Sequence, residues 1–269
     1  METGISHNIP FSEYLGIPAV SNSYLSKFKQ CPAKTLVTDE DTPALLLGRA
    51  FHAYILEPHI FEATYVVAPE CDRRTKAGKE IYSGFTAENT DKTIITADDY
   101  QTIQDMREAV YKQPTAKYLL EQGGFSESTV IWKDEETGLY CKCRPDRIPA
   151  TTEETLIDIK TARSVEAPVF LKDVVYRGYA RGAALYQEGI SLATGKIYNI
   201  YTFIAIEKEP PFRTEVYTLM PELLGYGYDE FHMLLRAVKK CRDSGEFPNY
   251  KHAGACDLDR PAYAVTDYI

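Results

Sequence analysis

The chain has 269 residues, 44% hydrophobic and 26% charged, so it can bury a large core and is not a disordered, collagenous or low-complexity polymer. Its 30 Lys and Arg against 39 Asp and Glu leave a net charge of -9. That excludes the simplest nucleic-acid footprint, a strongly basic domain, but not an enzyme that confines its cations to one channel. No stretch approaches the roughly 18 uninterrupted apolar residues of a membrane span, and METGISHNIP does not read as a signal peptide, so the expectation is a cytoplasmic protein with no membrane attachment.

In chain order, Asn22 or Ser23 can cap a short helix that runs through Phe28 and ends at Pro32. Leu45 to Leu56 carries apolar residues at helical spacing before Pro58 stops it. Thr96-Ala97-Asp98-Asp99 resembles a capping box, with Ile103, Met106 and Val110 continuing a helical face, and after Pro114 another helix ends at Gly123-Gly124. The period then changes. Phe125 to Trp132 and Leu139 to Arg144 alternate like strands around the turn-like Asp134 to Gly138, which predicts a hairpin. Thr155 to Lys160 reads as a third, central strand. Helical segments from about Ser164 to Val175 and Gly178 to Ala193 precede strands at Ile197 to Ile206 and Arg213 to Met220, and Pro221 opens a long helix reaching Arg242.

This order predicts an α/β fold with a central mixed sheet flanked by helices. Without a repeat or a Pro-, Gly- or Ser-rich linker, the expectation is a single domain over 1–269, with 1–20 as an N-terminal extension and 250–269 as a C-terminal tail. The six cysteines, at 31, 71, 141, 143, 241 and 256, show no zinc or iron–sulfur spacing and read as reduced, mostly buried thiols. Cys141 and Cys143 fall on one face of a strand.

The chemistry lies in CRPDRIPATTEETLIDIKTA, Cys143 to Ala162. Asp158 and Lys160 are two apart on a predicted strand, so both side chains leave one face, and Asp146 lies at the end of the preceding hairpin strand. Two carboxylates and an ammonium can thus meet at one sheet edge. Metal-assisted hydrolysis of a phosphodiester needs such a set: hard oxygen ligands for Mg²⁺, and a cation near the attacking water and the phosphoryl charge. Pro145-Asp146 is the only Pro-Asp in the chain and Asp158-Ile159-Lys160 the only acid-x-Lys.

Asp146 with Asp158-x-Lys160 resembles the PD-(D/E)XK nuclease motif. Flanking segments resemble the exodeoxyribonuclease VIII (RecE) type of bacterial and prophage recombination systems: LGRAFHAYILEP (47–58), APECDRRTKAGKE (68–80), SESTVIWKDEETGLYCKCRPDRI (126–148) and DIKTA (158–162). The resemblance implies a PD-(D/E)XK, restriction-endonuclease-like core. It implies metal ligation by His52, Glu127, Asp146 and Asp158, with the backbone carbonyl of Ile159 completing the shell, and Lys160 as the catalytic lysine beside Asp158, Asp146 and Glu127. It further implies Mg²⁺, for which Mn²⁺ substitutes, and 5′-to-3′ digestion of linear double-stranded DNA to leave 3′ single-stranded tails. A single-strand-annealing recombination protein and a ring-like homo-oligomer are the implied partners.

Arg73, Arg74, Lys76 and Lys79 in DRRTKAGK, with Arg147, Arg181 and Tyr186 near the motif, are the expected DNA contacts. The family's Gln-x-x-x-Tyr motif on the helix after the catalytic strand is met only by Tyr186, because Gly182 stands where the Gln would be. Two other readings stay open at this point: a structure-specific or nicking endonuclease on the same fold, and a catalytically weakened DNA-binding or interaction subunit.

Overall fold

The computed structural model describes residues 1–38, 42–150 and 154–250. It opens with strand β1 (Gly4–Ser6) and two helices, α1 (Phe11–Gly16) and α2 (Asn22–Gln30). The cap of α2 is Ser21, one position earlier than expected; its hydroxyl accepts the Tyr24 N–H at 3.2 Å. After a 3-10 turn at Pro32–Leu36, α3 (Pro43–Leu56) starts from a Thr42 cap with Pro43 in its first turn, where a missing N–H costs nothing. The short elements α4 (Pro58–Thr64) and β2 (Tyr65–Val67), helix α5 (Lys76–Glu88) and strand β3 (Thr93–Ile95) follow. Thr96 caps α6 (Ala97–Lys112) by half of the expected box: its hydroxyl accepts the Asp99 N–H at 3.0 Å and donates to Asp99 Oδ2 at 2.7 Å. Pro114 starts α7 (Pro114–Glu121).

The run Phe125 to Trp132 is not one strand. It divides into β4 (Gly124–Ser126) and β5 (Thr129–Lys133), which join different sheets. β5 forms the expected hairpin with β6 (Tyr140–Cys143) and takes β1 on its other side. β4 instead pairs with β7 (Arg147–Pro149), which lies against β8 (Thr155–Ala162). The chain then crosses through α8 (Ala167–Tyr176) and α9 (Tyr179–Thr194) to β9 (Ile200–Glu207), parallel to β8, and to the antiparallel β10 (Thr214–Thr218), before α10 (Pro221–Ser244). The five-stranded order β10-β9-β8-β7-β4 is the mixed sheet the sequence predicts, with β8 at its centre.

Strand periodicity decides what β8 offers each face. Leu156 and Ala162 join a core formed with α8, α9 and α10, whereas Ile157 and Ile159 pack with Phe51, Ile103 and Met106 of α3 and α6 on the other side. The N-terminal twenty residues are not an appendage. Besides β1, the Val20 N–H donates to the Tyr140 carbonyl at 2.8 Å and the Lys142 N–H to the Val20 carbonyl at 2.8 Å. Lys142 is buried, and its ammonium donates to the carbonyls of Tyr14 (2.7 Å) and Ile17 (2.9 Å), closing the C-terminus of α1. Cys31, Cys141 and Cys143 are buried free thiols; Cys256 and the tail beyond Tyr250 lie outside the described residues.

Candidate active site

Four elements deliver the site. Asp158 and Lys160 project from one face of β8, and the N–H of Ile159 between them donates to Asp146 Oδ2 at 2.6 Å, which fixes that carboxylate at the strand's edge. Asp146, in the link from β6 to β7, accepts the Glu127 N–H through its own carbonyl at 3.2 Å. Glu127 sits where β4 and β5 part, with φ of 49°, a left-handed conformation that costs a non-glycine residue on the order of 1 kcal/mol. That kink moves the chain from one sheet to the other and turns the Glu127 carboxylate toward Asp146. His52 comes from α3, which is anchored by buried Ala50, Phe51 and Ile55. Its Nδ1 lies 3.4 Å from Asp146 Oδ2 and 4.0 Å from Glu127 Oε1.

The charges are tightly matched. Arg144, 8% exposed, donates from Nε to Glu127 Oε2 at 2.6 Å, and from Nη1 to the Ile9 carbonyl at 2.9 Å and Thr129 Oγ1 at 3.2 Å. Lys160 is ion-paired with Asp158, and its ammonium lies 5.3 Å from the Tyr179 ring centre. Burial, reinforced by Asp146, pushes the Glu127 carboxyl up to about 8 against the pull of Arg144. Burial likewise raises Asp146, and lifts Asp158 to about 6 although Lys160 opposes it. Burial and Lys160 hold His52 down to about 4, so its imidazole is neutral at physiological pH. Burial alone would lower Lys160, but Asp158 and Asp146 overcome it and keep the ammonium above its ordinary range.

This donor set fits a divalent cation. Ligand atoms of His52, Glu127 and Asp146 all lie within 4.8 Å of one another, the one such group of three found among the described residues. Asp158 stands beside them. Glu127, raised to about 8, keeps its proton at neutral pH in the metal-free site, and a cation that displaces that proton gains a third carboxylate ligand beside Asp146 and Asp158. Carboxylate oxygens are hard donors and the imidazole nitrogen a softer one, a mixed set that suits a divalent metal ion.

Other expected contacts are placed differently. Arg181 cannot reach DNA: it is 1% exposed, bonded to Glu230 (3.0 Å), Asn22 (2.9 Å) and Ser26, and ties α9 to α10 and α2. Arg147 is opposite Ile157 across β7 and β8, so it leaves the face away from Asp158. It is spent on Ser126 Oγ (3.0 Å) and the Gln122 carbonyl at the end of α7. Tyr186 is half-buried, packed against the core with its ring 6.3 Å from the Tyr201 ring. Gly182 has a local cause, since a Cβ there would lie 2.6 Å from Asn22 Nδ2, which donates to the Gly178 carbonyl at 3.2 Å. Arg73, Arg74, Lys76 and Lys79 are exposed. Sequence reasoning missed the clamp of Arg144 on Glu127 and the ring of Tyr179; RPD, with Arg two before the carboxylate, was the available signal for the first.

The sequence matches the family model of a PDDEXK-like domain of unknown function (DUF3799) over residues 21–261. Among solved structures, a provisionally named exonuclease from Eubacterium rectale shares the fold, with a TM-score of 0.62 over 98% of this chain and 100% of its own at 15% identity. LHK-Exo, solved in complex with dAMP, aligns over 73% of this chain and 91% of its own at 14% identity, but its TM-score of 0.28 is too low to bear on the argument. No curated protein matches the sequence significantly. Among the described residues, no helix is long and apolar enough to cross a membrane.

Proposed function

The chain belongs to the PDDEXK-like domain family DUF3799, within the PD-(D/E)XK nuclease superfamily, and from this premise we propose that it is a Mg²⁺-dependent deoxyribonuclease. The observation that carries the proposal is the meeting of His52, Glu127, Asp146, Asp158 and Lys160 at the edge of β8. His52, Glu127, Asp146 and Asp158 would hold the ion, with the Ile159 carbonyl beside them. When bound, it supplies Lewis acidity toward phosphoryl oxygens and a water acidic enough to attack at neutral pH.

The chain's own groups do the rest. Arg144 and the Ile159 N–H hold Glu127 and Asp146 in fixed orientations, so little reorganisation is needed when substrate arrives. Lys160 remains protonated at neutral pH. Its part is therefore to donate hydrogen bonds to the attacking water and to the crowded phosphoryl oxygens, not to take the water's proton. Water attacks phosphorus in line and gives its proton to bulk solvent, the bond to O3′ breaks and the departing O3′ takes up a proton from solvent, so the products carry a 5′-phosphate and a 3′-hydroxyl.

The likeness to RecE-type enzymes supports the finer reading. It makes the protein an exonuclease that digests linear duplexes from 5′ ends, leaves 3′ tails for recombination, hands them to a single-strand-annealing protein, and works in the cytoplasm as a ring-like homo-oligomer. The test is linear duplex DNA labelled at either end, incubated with and without Mg²⁺ beside Lys160→Ala. Early Mg²⁺-dependent release of the 5′ label, absent in the variant, is the expected result, with closed circular DNA left intact. No release from either end by the unaltered protein would overturn the reading.

A further inference from the structure

Helix α5 is weakly embedded: of its 13 residues only Gly78 is buried, and Ile81 is left 53% exposed. Lys79, Tyr82, Ser83 and Thr86 stand at i, i+3, i+4 and i+7, the spacing of a single helix face, and Thr90 follows just past the helix end. Arg73, from the preceding loop, leans over that face with its guanidinium 4.2 Å from the Tyr82 ring centre. Gly78 permits this arrangement, because a Cβ there would lie 2.0 Å from the Asp72 carbonyl oxygen and drive the loop off the helix. The result is a groove of about 580 Å³. Its lining contains two cations and four hydroxyls but no carboxylate, in a chain whose net charge is -9.

Two of the acids nearby are committed elsewhere. Asp72 pairs with Arg74 at 3.2 Å, and Glu80 lies 4.0 Å from Lys76. Among the described residues no carboxylate pairs with Arg73 or Lys79. Cations flanked by hydroxyls match phosphodiester oxygens, and an aromatic ring stacked with a guanidinium is a platform for a nucleobase. A duplex hides its base faces within its own stack, so the platform favours unpaired nucleotides.

We propose that the α5 groove binds an unpaired DNA strand, with phosphates on Arg73 and Lys79 and a base on the Tyr82–Arg73 stack. It shares no residue with the metal cleft. The inference rests on the deoxyribonuclease reading for its choice of polymer, and it gives α5 a role in holding a separated strand outside the place of cleavage.

The test uses the full chain with fluorescein-labelled single-stranded and duplex oligonucleotides in EDTA, so that binding is read by anisotropy without cleavage. Arg73→Ala with Lys79→Ala is expected to weaken single-strand binding about tenfold or more and to flatten its salt slope by about 1.4, the share of two phosphate contacts. Tyr82→Leu should weaken single-strand binding about tenfold while leaving duplex binding unchanged. Unaltered affinity and slope in the double variant, with unaltered melting temperature, would overturn the proposal. Equal losses on single strand and duplex for Tyr82→Leu would overturn the claim for unpaired DNA. Cleavage in Mg²⁺ by the unaltered protein, measured alongside, separates the two readings: an inactive protein whose variants lose binding contradicts only the nuclease, and an active one whose variants bind normally contradicts only the groove.

Discussion

The metal cleft and the α5 groove manage charge in opposite ways. In the cleft, Glu127, Asp146 and Asp158 are drawn out of water and met by Arg144, the Ile159 N–H and Lys160, each at hydrogen-bonding range. In the groove, Arg73 and Lys79 stay in solvent with a ring and hydroxyls for company. Buried charges are held to fixed positions and are costly to unpair, which suits a centre that must present donors to an ion and a transition state. Exposed cations cost little to leave unpaired and are screened by salt, which suits a surface that must hold a polymer and let it go. Substitutions in the cleft should therefore be severe and little affected by salt, and those in the groove mild and salt-sensitive.

The largest effect is expected at β8. Lys160→Ala and Asp158→Ala should each lower Mg²⁺-dependent cleavage of linear DNA by on the order of 10³-fold with the fold retained, measured as initial rates beside circular dichroism. Rates within tenfold of the unaltered protein would remove both residues from the chemistry. Next is Arg144→Ala, which leaves Glu127 buried without its partner. We expect a loss of about 3 kcal/mol in urea unfolding, larger than for any substitution in the α5 groove; equal stability would show that the Arg144–Glu127 pair is dispensable.

A smaller effect is expected at Tyr179. Lys160 must leave Asp158 free when an ion takes that carboxylate, and the ring is then a contact that still holds the ammonium. Tyr179→Leu should lower kcat about tenfold with KM little changed, and Tyr179→Phe should restore it. A Phe variant as poor as the Leu variant would contradict the role of the ring.

The smallest effect is in pH. Glu127 titrates in the folded protein at about 8, above its ordinary 4.5, so its contribution to stability is present at low pH and is lost as pH rises through the folded value. His52, lowered to about 4 from 6.5, acts in the opposite sense but only below about 6.5, and Asp158, near 6, has mostly titrated by then. Between pH 6.5 and 8 the metal-free protein should thus lose on the order of 1 kcal/mol. Saturating Mg²⁺ should cancel the slope, since the ion favours the ionised carboxylate; a slope unchanged by Mg²⁺ would argue that Glu127 does not hold it.

Much of the cleft was legible because β8 is a strand whose alternation alone puts Asp158 and Lys160 on one face, and because Pro145-Asp146 precedes it at a turn. The core helices α3, α6, α9 and α10 were legible from their apolar spacing, with Thr96 marking the start of α6 and Pro221 that of α10. The kink at Glu127 was not, since nothing in a strand-like run of residues marks the one whose φ turns positive. Nor were the roles of Lys142, Arg144 and Arg181. A cation in sequence reads as surface, and only the approach of Tyr14, Glu127 and Glu230, each distant along the chain, shows it to be an internal tie. The three-residue β1 is too short to show a period in sequence.

The central claim is that His52, Glu127, Asp146 and Asp158 form one metal centre. Its most direct test is anomalous scattering from crystals of the protein soaked in Mn²⁺. The account predicts a peak bound by the His52 imidazole and at least two of the three carboxylates, and absent in Asp146→Asn. A peak elsewhere with these side chains bare, or a cleft that stays empty while Mn²⁺ supports cleavage, would contradict it.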